Sequence, residues 1–167
     1  MRAAKTNVLI MHLDPIESHA GTTDQKTCFR IFSKVLVPTN FSKHASDALS
    51  FVQSIKGIEK VILLHVVTDD DSEEKIDNAV TESMGRLENI SEEIAGSGFF
   101  VTHHVRVGDP AKMIMSVAEE EDVSLIAISR HGKSWFENSE IGSTAYAVAH
   151  MAKKPVLIIR ENKTVQT

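Results

Sequence analysis

From Lys34 onward the chain alternates short, unbroken apolar runs with stretches whose apolar residues recur at helical spacing. Val35-Leu36-Val37, Val61 to Val66, Ser124 to Ile128 and Val156 to Ile159 are the runs, and each reads as a strand buried on both faces. Between the first two, Ser42 is an N-cap for a helix carrying Ala45, Ala48, Leu49, Val52 and Ile55, which Gly57 ends. A long helix follows the acidic start Asp69-Asp70-Asp71, with Ile76, Val80, Met84, Leu87, Ile90 and Ile94 on one face. Phe99 to Val107 alternates instead, with Val101, His103, Val105 and Val107 on one side, as an edge strand would. Gly108-Asp109-Pro110 opens a helix to about Glu121, and a last helix is predicted from about Ser143 to Ala152. The order is βαβαβαβαβ. Strands separated by helices require parallel pairing with right-handed crossovers, so the expected fold is an open, doubly wound, five-stranded parallel α/β sheet of Rossmann-like form. Such sheets bind ligands at the carboxyl ends of strands where strand order reverses, which directs attention to the loops near Pro38 and Ser129.

Composition narrows the function classes. The 167 residues suit one domain with a modest extension. A net charge of −5 with no Lys/Arg run argues against nucleic acid as the main partner, because phosphate backbones demand cations. Cys28 stands alone, so no intrachain disulfide can form, and a reducing compartment is expected. Val8 to Leu13 is too short for a signal-peptide core or a membrane span and is halted by Asp14-Pro15. A cytoplasmic protein is the expectation. Residues 1–33 lack periodicity and read as an appended arm or linker, with two uses open to it: adding an extra strand or packing on a partner. Residues 34–160 form the expected domain and 161–167 a tail.

One loop carries chemical information. Ser129-Arg130-His131-Gly132, nine residues, then Gly142-Ser143-Thr144 lie between a buried strand and a helix. Glycines let a backbone approach a bulky anion, and a helix start offers unpaired N–H groups and a positive dipole end. The bland alternative is that Gly132 ends a turn and Ser143 caps a helix; spacing alone divides the two evenly.

The stretch from Lys34 to Arg160 resembles the universal stress protein family, whose nucleotide-binding members have Gly-x-x-Gly, nine residues and Gly-Ser/Thr at this place. Gly132, the spacer, Gly142 and Ser143 match, while Ser129 stands at the first glycine. Val37-Pro38-Thr39-Asn40-Phe41-Ser42 looks like the family's first-strand motif, with Asn40 where an Asp is usual. Leu63-Leu64-His65-Val66 looks like its second strand and Gly108-Asp109-Pro110 like its turn before the third helix. The resemblance implies that Pro38, Asn40 and Val66 line the adenine side of a site. It implies that Ile128, Ser129, Gly132, Gly142, Ser143 and Thr144 hold ribose and phosphates. ATP, with Mg²⁺ as a possible companion, is the implied ligand, in a regulatory stress-response protein. If the Ser129 position needs positive φ, serine there costs on the order of 1 kcal/mol or more. Val156, Leu157, Ile158 and Ile159, uncharged until Arg160, are by resemblance the edge opposite the alternating strand, and antiparallel pairing there predicts a homodimer.

Other features read as decoys. Ala127 to Ser134 approximates a P-loop, but Ala127 lies within a strand and Trp135-Phe136-Glu137-Asn138-Ser139 shows no amphipathic helix. His103 and His104 point to opposite faces of a strand, which favours solvated side chains over a shared metal. His65 reads as a satisfied core histidine and Glu119 to Asp122 as a solvated helix end. Trp135 and Phe136 suit loop packing better than a lid. No nucleophile–base pair or side-chain metal site is apparent, so no enzyme is expected, though slow ATP hydrolysis stays open. The rival reading is a nucleotide-free homodimeric interaction module, which Asn40 and Ser129 favour. An enzyme acting on another phosphorylated ligand is the third.

Overall fold

The computed structural model describes residues 6–11, 31–131 and 141–160. Its elements are β1 (Val8–Ile10), β2 (Lys34–Pro38), α1 (Lys43–Ser54), β3 (Lys60–Val67), α2 (Glu73–Ala95), β4 (Phe100–Val107), α3 (Pro110–Glu120), β5 (Leu125–Ser129), α4 (Ser143–Met151) and β6 (Val156–Ile159). The strands form one sheet in the order β1-β6-β5-β2-β3-β4. The five strands expected from sequence pair in parallel, and the sixth, β1, is antiparallel to β6.

Alternate residues of each central strand feed two separate cores. Leu36, Ile62, Leu64, Ile126, Ile128 and Ile158 face α3 and α4, meeting Ile114, Val117 and Val148. Val35, Val37, Val61, Leu63, Leu125 and Ala127 face α1 and α2, meeting Val52, Leu87 and Ile94. Helices on both faces explain why these strands are apolar throughout. Local signals act as read: Ser42 Oγ accepts from Ala45 N at 3.3 Å, Asp109 Oδ1 accepts from Lys112 N at 2.9 Å, and Gly57 has φ +90°.

β1 corrects the expectation of an open edge. Val8, Leu9 and Ile10 pair with Ile158, Leu157 and Val156, and Arg160 N donates to Asn7 Oδ1 at 2.9 Å just beyond. The outer edge of Val156–Ile159, expected to pair with a second copy, is covered within the chain. The physical reason is the same one that suggested a dimer: a short apolar edge needs a strand beside it, and an apolar segment of the same chain supplies one at high effective concentration. Of the two uses open to the arm, these residues take the first.

Candidate functional site

The chain builds outward from β2 through β3 to β4, then returns to the other side of β2 for β5 and β6, so strand order reverses between β2 and β5. A cleft of about 810 Å³ opens at the carboxyl ends of these strands. It is lined by Pro38, Thr39 and Asn40 after β2, Val66 on β3, Ile128 and Ser129 on β5, and Gly142, Ser143 and Thr144 at the start of α4. Eight of the nine residues expected from sequence therefore meet in one cavity; Gly132 lies outside the described residues, as do Lys133, Trp135 and Phe136, and with them the loop's packing.

The two departures from the family pattern are absorbed locally. Ser129 is not among the non-glycine residues with positive φ, which are Phe41 and Asp122 among those described. The strain expected of a serine at this position is therefore absent. Its Oγ donates to the His131 carbonyl at 3.0 Å and fastens the start of the loop. Gly142 N donates to the Arg130 carbonyl at 2.8 Å and fastens its return. Gly142 is the N-cap of α4 with φ −66°, and having no side chain it forms no side-chain cap bond. The start of the helix thus lines the cleft with Gly142, Ser143 and Thr144, and a helix start with hydroxyls beside it favours an anion.

The β2 loop is stapled by its own side chains. Thr39 Oγ1 accepts from Phe41 N, and Asn40 Oδ1 accepts from Ser42 N, both at 3.1 Å. Phe41 has φ +58°, a left-handed conformation that costs an ordinary residue roughly 1–2 kcal/mol. Packing offsets this: its ring lies 4.4 Å from that of His65, and the Arg86 guanidinium sits 3.9 Å above it. His65 Nδ1 is 2.7 Å from the Thr39 carbonyl, which accepts, so that nitrogen carries the proton. The histidine read as a satisfied core residue is satisfied as expected, yet it also lines the cleft.

Sequence reasoning missed Arg130, His131, Asp71 and Lys75 as lining residues. Asp71 and Lys75 form an i,i+4 pair at 3.0 Å, a spacing that was visible in the sequence. Nothing in the sequence showed that α2 would bring that pair over the β3 end. Burial, the neighbouring Arg130, and the charges of His44 and Arg160 together hold the His131 pKa below its ordinary value.

Two readings outside the cleft need correction. Glu121, expected to be a solvated helix end, is half-buried and receives Lys34 at 3.1 Å, Lys60 at 3.5 Å and His104 at 2.9 Å. Hydrogen bonding by Lys34, then by His104, and the charges of both lysines, lower its pKa to about 2. His103 and His104 do point to opposite faces, but neither is left to solvent. His103 Nδ1 is 3.0 Å from Ser91 Oγ on α2, and His104 Nε2 meets Glu121 after α3.

A doubly wound sheet with a cleft at its switch point places the chain among the Rossmann-like α/β proteins. Residues 32–160 match the family model of the Universal stress protein family, and the chain belongs to that family. It is 30% identical over 159 residues to universal stress protein MJ0577 of Methanocaldococcus jannaschii, covering 80% of this chain and 98% of the relative. The solved structure of the MJ0577 protein superposes with a TM-score of 0.71 at 33% identity, over 80% of this chain and 99% of that one. The fold is shared further with an Archaeoglobus fulgidus universal stress protein in complex with dAMP (TM-score 0.57, 24% identity, 77% of this chain and 98% of that one). It is also shared with a universal stress protein in complex with cAMP (TM-score 0.60, 19% identity, 77% and 97%).

Proposed function

We propose that this chain is an adenine-nucleotide-binding regulatory protein of the universal stress type, with ATP as its ligand, acting in a cytoplasmic stress response. The observation that carries the reading is the start of α4 at the strand-order reversal, where Gly142, Ser143 and Thr144 face the cleft that Asn40 and Val66 also line. Relatives of the same fold in complex with dAMP and cAMP support an adenine nucleotide as the guest. The phosphates lie on the α4 amides and hydroxyls. The base lies toward β3 and α2 against Val66, Ile76 and Ala79. A Mg²⁺ ion accompanying the ATP would be held by the phosphates and water rather than by protein side chains. No chemistry is assigned to the site. Among the described residues no helix is long and apolar enough to cross a membrane.

The nucleotide-free module is the alternative: Asn40 still favours it by lacking the family's charge, whereas Ser129 fits its loop without positive φ. The deciding experiment is mass spectrometry of ligand released from freshly purified protein, joined to calorimetric titration with ATP and Mg²⁺. Micromolar binding, with ADP and AMP weaker in turn, is expected. No heat and no competition at millimolar ATP would give the chain to the interaction-module reading.

A further inference from the structure

Thr39 and Asn40 reach the cleft from a loop in which two side-chain turns overlap. Thr39 Oγ1 accepts from Phe41 N–H, and Asn40 Oδ1 accepts from Ser42 N–H, both at 3.1 Å. Phe41 is the middle residue of the second turn and holds φ +58°. A phenylalanine left to itself avoids that conformation. Rotated back to negative φ, it would turn Ser42 N–H away from Asn40, and Asn40 would lose the bond that fixes its amide. What holds Phe41 comes from outside the loop. Its ring packs on that of His65 on β3, 4.4 Å away, and the Arg86 guanidinium of α2 covers it at 3.9 Å. His65 Nδ1 also donates to the Thr39 carbonyl at 2.7 Å. Phe41 and Arg86 are not among the residues that line the cleft. Yet α2 walls the cleft with Lys75, Ile76 and Ala79, so one helix both bounds the cleft and braces the loop.

We propose that Arg86 and Phe41 are positioning residues for the bound nucleotide: the Arg86–Phe41–His65 stack keeps the β2 loop in the conformation that presents Thr39 and Asn40 to the cleft. This inference rests on the nucleotide-binding reading above and adds residues that lie outside the cleft itself. β2 lies between β5 and β3, so a guest with its phosphates on α4 and its base over β3 passes over this loop. Affinity then scales with the fraction of molecules in which the loop is set. Removing the ring or its cover lowers that fraction, because left-handed backbone is unfavourable for any residue with a Cβ. Glycine carries no such penalty.

The test measures ATP affinity by calorimetry and amide exchange by NMR in wild type, Arg86→Met, Phe41→Ala and Phe41→Gly. Arg86→Met keeps an unbranched apolar stem and removes the cation over the ring; its exposed pair with Glu82 is lost too, at little cost. It is expected to weaken ATP binding about two- to fivefold. Phe41→Ala should lose about tenfold, and Phe41→Gly less, since glycine enters the left-handed region freely. In the unliganded variants Ser42 N–H should exchange faster. Gly142 N–H, bonded to the Arg130 carbonyl at the phosphate end of the cleft, should keep its wild-type rate. A merely structural role would speed both amides. Unchanged affinity in Arg86→Met and Phe41→Ala overturns the inference and leaves the functional reading intact. Equal acceleration at Ser42 and Gly142 also overturns it, since the loss would then be global. If the wild-type chain binds no adenine nucleotide, the functional reading fails and this inference falls with it.

Discussion

The two ends of the sheet use polar residues in opposite ways. At the amino end, charges are consumed within the protein. Lys34, Lys60 and His104, from three neighbouring strands, converge on Glu121 at the end of α3. Ser124 and Lys34 exchange backbone and side-chain bonds at 2.9 Å, and Lys154 holds Asp122. At the carboxyl end, side chains are spent on fastening their own loops, as Thr39, Asn40 and Ser129 do. The start of α4, with Ser143 and Thr144, lines the cleft beside them. One end is closed electrostatically; the other is held open in shape and kept receptive. Stability and binding should therefore separate under mutation.

Gly142→Val should break the open end with the largest effect. At φ −66° valine meets no backbone penalty, so thermal stability should hold while the side chain occupies the space of the phosphates. A loss of ATP affinity of about a hundredfold or more is expected by calorimetry, about 3 kcal/mol or more. An equal loss of melting temperature would show that the glycine serves the fold instead. Glu121→Gln should break the closed end, costing about 1–3 kcal/mol in urea denaturation with ATP affinity unchanged. The pH dependence has a definite sign. A carboxylate whose folded pKa lies near 2 contributes stability above its ordinary value of 4.5 and loses it as pH falls toward 2. The difference between wild type and Glu121→Gln should therefore shrink across that window. A third change probes the edge between the two ends. Deleting residues 1–11 uncovers β6, and light scattering should show stronger self-association than in the full chain, with binding retained. No change in mass would mean that β6 needs no cover.

How much of this was legible in the sequence depended on range. Val35 to Val37 and Val61 to Val66 announced buried strands because helices cover both faces, and Ser42 and Asp109 announced helix starts because capping is local. The cleft residues were found where one strand or one helix start held them. Glu121 was misread because its partners come from strands up to 87 residues away, and a run of acidic residues looks the same whether solvent or lysines surround it. Val8 to Ile10 was seen as an apolar run, but pairing it with β6 spans about 150 residues, and three residues carry too little pattern to specify a partner. The roles of Asn40 and Ser129 could not be read from their types. Each depends on which backbone group the side chain reaches.

The smallest expected effect joins titration to binding. His131 lines the cleft, and burial, Arg130, His44 and Arg160 depress its pKa. In the unliganded protein a histidine so placed is neutral near pH 7. The folded state then resists the protonation that the unfolded chain accepts at about 6.5, and it loses stability as pH falls below that value. A bound phosphate reverses the local field and favours the imidazolium. Binding should therefore take up a fraction of a proton, and ATP affinity should rise a few-fold between pH 7.5 and 6, less than the roughly tenfold per unit that one full proton allows. Calorimetry in two buffers of different ionisation enthalpy reads the proton directly, and His131→Gln should flatten the profile without abolishing binding. The side chains of Ser143 and Thr144 and the α4 amides would then account for the remaining affinity. Proton release on binding, or uptake that persists in His131→Gln, would mean that the phosphates lie away from this histidine and nearer the far side of the cleft.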